Sequence, residues 1–301
     1  MDTTFAFGQR GSHLFQCPSH IEHTRLPKKL SNLLNSSKLK QIHHATLGFG
    51  DSFLLTWRDT NNQDHIDSAG LPPELLSFLH ARNQQGSLVR DIPNIRCTLG
   101  PYNASFFAHD KAGYLWMNIP DKLLAALQSR IKDGTWIDKP RIVALGANDD
   151  FLLLTEKHAA VWDLENYRTI SKLLDFSRTQ INGISEIHGI ALHPYRFQSY
   201  VTQSKNGTLL FDNLPPHSLL AMQAMVAPVM QDTEKAGAWP LFRKESGKKE
   251  TVPRKQSVLQ QRAQLRKDWG ERTHEVSTQG KGIKLSLSLS LSVGGLTRML
   301  G

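Results

Sequence analysis

The stretch LGPYNASFFAHDKAGYLWMNIPDKLLAAL, residues 99–127, decides the reading of the fold. Leu99 and the small turn residue Gly100 precede an aromatic run at Phe106 and Phe107. A polar turn around Gly113 leads to a second run ending at Trp116, and Ile119-Pro120 then opens a segment with Leu123, Leu124 and Leu127. Aromatic side chains suit the half-buried faces of a sheet, so the two runs predict short strands. IRCTL at 95–99 predicts a strand before them. The leucines after Pro120 are spaced as on one face of a helix, among good helix formers. Pro120 falls near the first helical turn, where its missing N–H costs nothing. Three strands and a short helix follow from this one stretch.

The same order of features recurs along the chain. Leu47, Gly48, Phe53–Leu55, Leu71, Pro72, Leu75, Leu76 and Leu79 repeat it upstream, and Leu145, Gly146, Phe151–Leu153, Trp162, Leu173 and Leu174 repeat it downstream. A further copy runs from Leu192 through Phe211 and Pro215 to Leu220, with His193 where glycine is expected, so that this turn need not demand a positive φ. Phe7, Gly8, Leu14, Phe15, Leu26, Pro27 and Leu30 form a shortened first copy. The turn residues Gly8, Gly48, Gly100, Gly146 and His193 stand 40, 52, 46 and 47 residues apart. The approximate boundaries are 1–40, 41–90, 91–137, 138–183 and 184–230, within a repeat domain of residues 1–230. A three-stranded sheet cannot bury its apolar face alone, so neighbouring copies must pack together. The expected fold is mainly β, a β-propeller-like array of about five repeats of about 46 residues with short helical segments. A standard blade has four strands, so the leucine segment would be a fourth strand or an inserted helix. The alternative is an α+β layered repeat fold.

The stretch FLLLTEKHAAVWDLENYRTI, residues 151–170, resembles the end of a WD40-type blade, in which a Trp-Asp pair, here Trp162–Asp163, closes the third strand. The spacing near 46 is also similar to the regulator-of-chromosome-condensation class. The resemblance implies an interaction platform over about residues 1–225. It does not extend to the other copies' endings, where Trp116 is followed by Met117 and Phe211 by Asp212.

The net charge of +9 is unevenly placed: residues 231–301 hold 14 Lys/Arg against 7 Asp/Glu, and the first 230 hold 22 against 20. The near-neutral body argues against a nucleic-acid-binding surface there. The tail, 231–301, is expected to be basic and largely disordered, with a Leu/Ser low-complexity end at 285–292 that resembles translated simple-sequence DNA. Nucleic-acid contact through this tail is the one such contact the charge allows. No stretch is apolar enough to span a membrane. The N-terminus lacks the pattern of a secretory signal, and Cys17 and Cys97 are far apart. Those features point to the cytoplasm or nucleus.

Cys17, His20 and His23 place a thiol and two imidazoles within seven residues, a spacing zinc could use, though no fourth ligand is evident. His43, His44, His188 and His193 read as scattered polar residues near the turns. No nucleophile elbow, zincin pair or phosphate-binding loop occurs in the chain, and Asp51, Asp149 and Asp150 read as solvated turn residues, so no catalytic residue and no cofactor is assigned. Trp116 and Trp162 are the candidate ligand-binding residues, weighed against core packing. The expected function is a non-enzymatic scaffold for a protein partner. The alternatives are a carbohydrate or small-ligand-binding propeller, and an enzyme whose site is not recognisable from sequence.

Overall fold

The computed structural model describes residues 3–180 and 182–237. Sheet 1 consists of β1 (Thr4–Phe7), β2 (His13–Cys17) and β3 (His20–Thr24), followed by helix α1 (Lys28–Leu34). Sheet 2 holds β4 (Leu39–Leu47), β5 (Phe53–Asp59) and β6 (Asp64–Ala69), with α2 (Pro73–Leu79) after it. Sheet 3 holds β7 (Arg96–Leu99), β8 (Phe106–His109) and β9 (Tyr114–Met117), then α3 (Asp121–Gln128) and the two-stranded ribbon β10 (Ile131–Lys132) and β11 (Thr135–Trp136). Sheet 4 holds β12 (Pro140–Leu145), β13 (Phe151–Thr155) and β14 (Ala160–Asp163), followed by α4 (Arg168–Thr179). Sheet 5 holds β15 (Ile187–Leu192), β16 (Tyr200–Ser204) and β17 (Leu209–Asp212), and α5 (Pro216–Lys235) runs on past residue 230. All pairings within the sheets are antiparallel.

This architecture corrects the expected one. Among the described residues it is an α+β arrangement of six small sheets of two or three strands and five α-helices, not a mainly β propeller of four-stranded blades, and none of these sheets closes on itself. The propeller-like repeat array, and the WD40-like and regulator-of-chromosome-condensation-like resemblances that followed from it, fall with it. The physical reason lies in the leucine segments. Their helical spacing buries Leu75 and Leu79 on α2 and Leu123 and Leu127 on α3, so no fourth strand forms. Trp162–Asp163 ends β14 without leading into another strand; Leu164 enters the core and α4 follows.

The middle strand of each sheet explains how these elements cohere. Phe53–Leu55, Phe106–Ala108, Phe151–Leu154 and Leu14–Phe15 are buried on both faces, and such strands read as continuous apolar runs rather than as alternation. Successive side chains point to opposite faces. Phe53 and Leu55 therefore meet Leu14 and Leu30, while Leu54 meets Phe106, Leu75 and Leu79. Phe107 meets Phe151, Leu153 and Leu123; Leu152 and Leu154 meet Tyr200 and Ile170. Four of the apolar clusters thus lie between consecutive three-stranded sheets, each sealed by the helix that links them.

The last cluster joins the chain's two described ends: Phe7, Phe15 and Cys17 pack with Val201 and with Met222, Met225 and Val229 of α5. Asp232 Oδ2 accepts hydrogen bonds from both the N–H and the Oγ–H of Ser19, each at 2.8 Å. His217 Nε2 lies 2.8 Å from the carbonyl oxygen of Gly11. Asp232 is buried and Ser19 is exposed, so water can replace what Ser19 loses. Asp232→Ala is expected to lower stability by about 1–2 kcal/mol in urea unfolding, and an unchanged midpoint would remove this clasp from the stability of the fold.

Candidate functional site

The first strand of every three-stranded sheet faces a common cavity of about 360 Å³, lined by β1, β4, β7, β12 and β15. The five strands enter it in the same direction. Their C-terminal ends carry Phe7, Leu47, Leu99, Leu145 and Leu192, all buried and all followed by the turn residues Gly8, Gly48, Gly100, Gly146 and His193. In those turns the backbone N–H returns to the carbonyl of Ser12, Ser52, Ser105, Asp150 and Ser199 at 2.7–2.9 Å. Glycine is required there for space, not for φ: Gly100 has φ −81°, and a Cβ on it would stand 2.0 Å from Ser105 Oγ. In the fifth turn His193 is accommodated by stacking on Phe7, with ring centroids 5.0 Å apart.

The end of the cavity away from these turns is polar. Thr3, His43, His44, Arg96, Arg141 and His188 line that end, together with His109 from β8. Three of these are the extra residues of β-bulges. The register slips between Ile42 and His44, between Pro140 and Ile142 and between Ile187 and Gly189, which sets His43, Arg141 and His188 out of the regular pleat. A bulge bends its strand and re-aims the side chain it carries. The same device at the same level of three sheets therefore gathers cationic and imidazole groups at one end of the cavity. Among the described residues the lining contains no aspartate or glutamate.

The partners of these groups set the electrostatics. His43 Nε2 is held 2.8 Å from Asp64 Oδ1, and Asp64 also receives a two-pronged hydrogen bond from Arg58, which holds its carboxyl down to about 2. His44 Nε2 stands 2.8 Å from the carbonyl oxygen and 3.1 Å from the backbone nitrogen of Cys97. Burial, with the Arg96 guanidinium beside it, pushes His44 down to about 3. Arg96 donates to the carbonyls of Pro93 and Ile95. Arg141 donates through Nη1 to the carbonyl of Ile187 at 2.6 Å, while its Nε and Nη2 are buried and find no hydrogen-bond partner among the described residues. His109 Nδ1 and Thr3 Oγ1 share that condition. The nearby carboxylate of Asp110 is occupied by Arg90 and by the backbone N–H groups of Asp91, Ala112 and Gly113. Buried polar groups are nearly always paired, so a cluster of unpaired donors in an electropositive cavity is chemically suited to an oxyanion.

The residues singled out from sequence lie elsewhere. Cys17 is buried at the end of β2, and His20 and His23, three residues apart on β3, point to opposite faces of the strand. His20 pairs with Glu22 at 2.8 Å. No group of three or more His, Cys, Asp or Glu side chains able to hold a metal occurs among the described residues. Trp116 stacks on Tyr114 at 5.2 Å beside the α3 cluster, and Trp162 lies under the Arg178 guanidinium at 4.1 Å. They belong to different apolar clusters and neither lines the cavity. Asp150 accepts the N–H of Asn166 and is raised by burial to about 6. The tail beyond residue 237, with its basic clusters and Leu/Ser run, lies outside the described residues.

His43, His44 and His188, which read as scattered, line one cavity with Arg96 and Arg141, which sequence reasoning passed over. One signal was available. Thr3, His43, Arg141 and His188 each stand five residues before their turn residue, and His44 and Arg96 stand four before theirs. The chain matches no protein-family model and no curated protein. No helix among the described residues is long and apolar enough to cross a membrane.

Proposed function

We propose that this protein binds a small anionic molecule at the cationic end of the cavity, as a ligand-binding protein rather than as the protein-interaction scaffold expected from its repeats. The observation that carries this reading is the Arg141 guanidinium, with two buried N–H groups left unpartnered among the described residues, in a lining free of carboxylates. Arginine presents its donors as a planar fork that matches the two oxygens of a carboxylate or phosphate. The cavity's volume of about 360 Å³ falls within the range usual for small-ligand sites. Binding without chemistry is the simpler assignment: His44 meets the backbone of Cys97, the thiol in the lining, and burial pushes that thiol up to about 12 and keeps it protonated. Two free, buried cysteines accord with a cytoplasmic or nuclear setting.

Titration calorimetry of the full chain with inorganic phosphate and with oxalate tests the proposal. One equivalent is expected to bind, and Arg141→Met is expected to weaken that binding at least tenfold, since a charge-assisted hydrogen bond contributes about 1.5–3 kcal/mol. Lys29→Ala, on an exposed side chain away from the cavity, serves as control. Absence of binding to both probes at millimolar concentration, or equal affinity in Arg141→Met, would overturn it.

A further inference from the structure

Resting on that reading, we infer that the ligand is an amphiphile: one oxyanion head seated at Arg141 and His109, and an apolar body lying along the strands toward the turns. The charged and imidazole side chains of the lining gather at one end, whereas the polar side chains nearer the turns are the uncharged Thr46 and Thr98. Beyond the level of Arg141, its wall is built from Ile142, Val143, Ile190 and Ala191, all partly exposed, and then from the leucines that end the strands. Thr98, the polar side chain at mid-depth on β7, is turned to other use: its hydroxyl donates to the carbonyl of Val143 at 3.0 Å. Within the lining, the side-chain donors without partners among the described residues stand at Thr3, His109 and Arg141, at the charged end; Tyr195 Oη, beside Pro194 at the turn end, lies outside the lining.

The turns at the apolar end are tied across by aromatic rings. Tyr102 meets Phe49 edge-on at 5.1 Å and Tyr195 at 5.9 Å, and Pro194 forms part of the lining there. An inorganic oxyanion engages the unpaired donors but touches little of this wall, because a space of about 360 Å³ is many times the roughly 30 Å³ that one water occupies in the liquid. A ligand with an alkyl or aryl body meets both chemistries at once. The single cationic end sets the number of charged heads at one, since a second would lie among the leucines without a partner.

The test compares inorganic phosphate with hexyl phosphate by calorimetry on the full chain, with hexanol as the uncharged probe. Each methylene taken from water is worth up to about fourfold in affinity. Hexyl phosphate is therefore expected to bind at least tenfold more tightly than phosphate, with a more negative heat-capacity change, the mark of apolar burial. Arg141→Met should weaken both phosphates, and Ile190→Ser should lower the ratio of their affinities. Equal affinities for the two phosphates would overturn the amphiphile while leaving the anion site standing. Hexanol binding as tightly as hexyl phosphate would overturn the role of the head. Failure of every probe to bind would remove the anion site itself.

Discussion

Acidification from pH 7 to about 4.5 is expected to unfold this protein, through histidines buried in the neutral state. Desolvation pushes His13, His109 and His193 each down to about 4, and His44 to about 3, with His217, Lys139, Arg196 and Arg96 respectively adding repulsion. In the unfolded chain all four titrate near 6.5. Between pH 6.5 and 4 the unfolded state binds protons that the folded state refuses, so stability is complete above 6.5 and falls as pH drops toward the folded values. Asp150 acts in the opposite sense: raised to about 6, it takes up a proton in the folded state first and offsets about one histidine. The net uptake of about three protons gives a loss on the order of 4 kcal/mol per pH unit near pH 5. A fall of two units approaches the whole stability of an ordinary domain, about 5–15 kcal/mol. Urea midpoints measured from pH 7.5 down to 4.5 would follow this slope, and His109→Gln should reduce it by about one histidine's share. A midpoint that does not move between pH 7 and 5 would show that these imidazoles titrate freely.

Tyr167→Phe is expected to destabilise the protein by about 2–6 kcal/mol while leaving the ring's packing in place. The hydroxyl donates to the carbonyl of His193 at 2.6 Å and accepts the N–H of Ala147 at 3.0 Å, and the side chain is completely buried. One atom thus joins the turn of sheet 4 to that of sheet 5. Its removal leaves a buried carbonyl and a buried N–H without partners, at about 1–3 kcal/mol each. Gly146 lies against the same ring, where a Cβ would come within 2.7 Å of Cε2, so the pocket cannot readily collapse to hide the loss. Thermal and urea unfolding would measure the change, and a loss below about 1 kcal/mol would mean that water or backbone movement takes over both bonds.

Most of the local structure was legible. IRCTL holds the first strand β7 that it predicts, and FLLLT pairs with the following AVWD in a hairpin across Glu156, Lys157 and His158. The leucines after Pro72 and Pro120 form helices. The same leucines misled the architecture, because a blade template asks for a fourth strand where helical spacing had already excluded one. The candidate ligands Cys17, His20 and His23 were close in number, yet a strand sends His20 and His23 to opposite faces. Trp116 and Trp162 stood out as large aromatic side chains and lie in apolar clusters away from the cavity.

The sequence by itself determined the elements: the apolar runs that become buried middle strands, the helical leucines, and glycines where a Cβ would strike a neighbouring side chain. These are local properties, set by side-chain periodicity and by steric room within a few residues. Which charged groups meet was decided only by the tertiary structure. Arg96, Arg141, His43 and His188 are far apart in the chain and become neighbours because separate sheets turn their first strands to one cavity. Arg141 and His188 reach it through bulges, each a slip of one residue in pairing that depends on the partner strand and leaves no mark in the spacing of either strand alone.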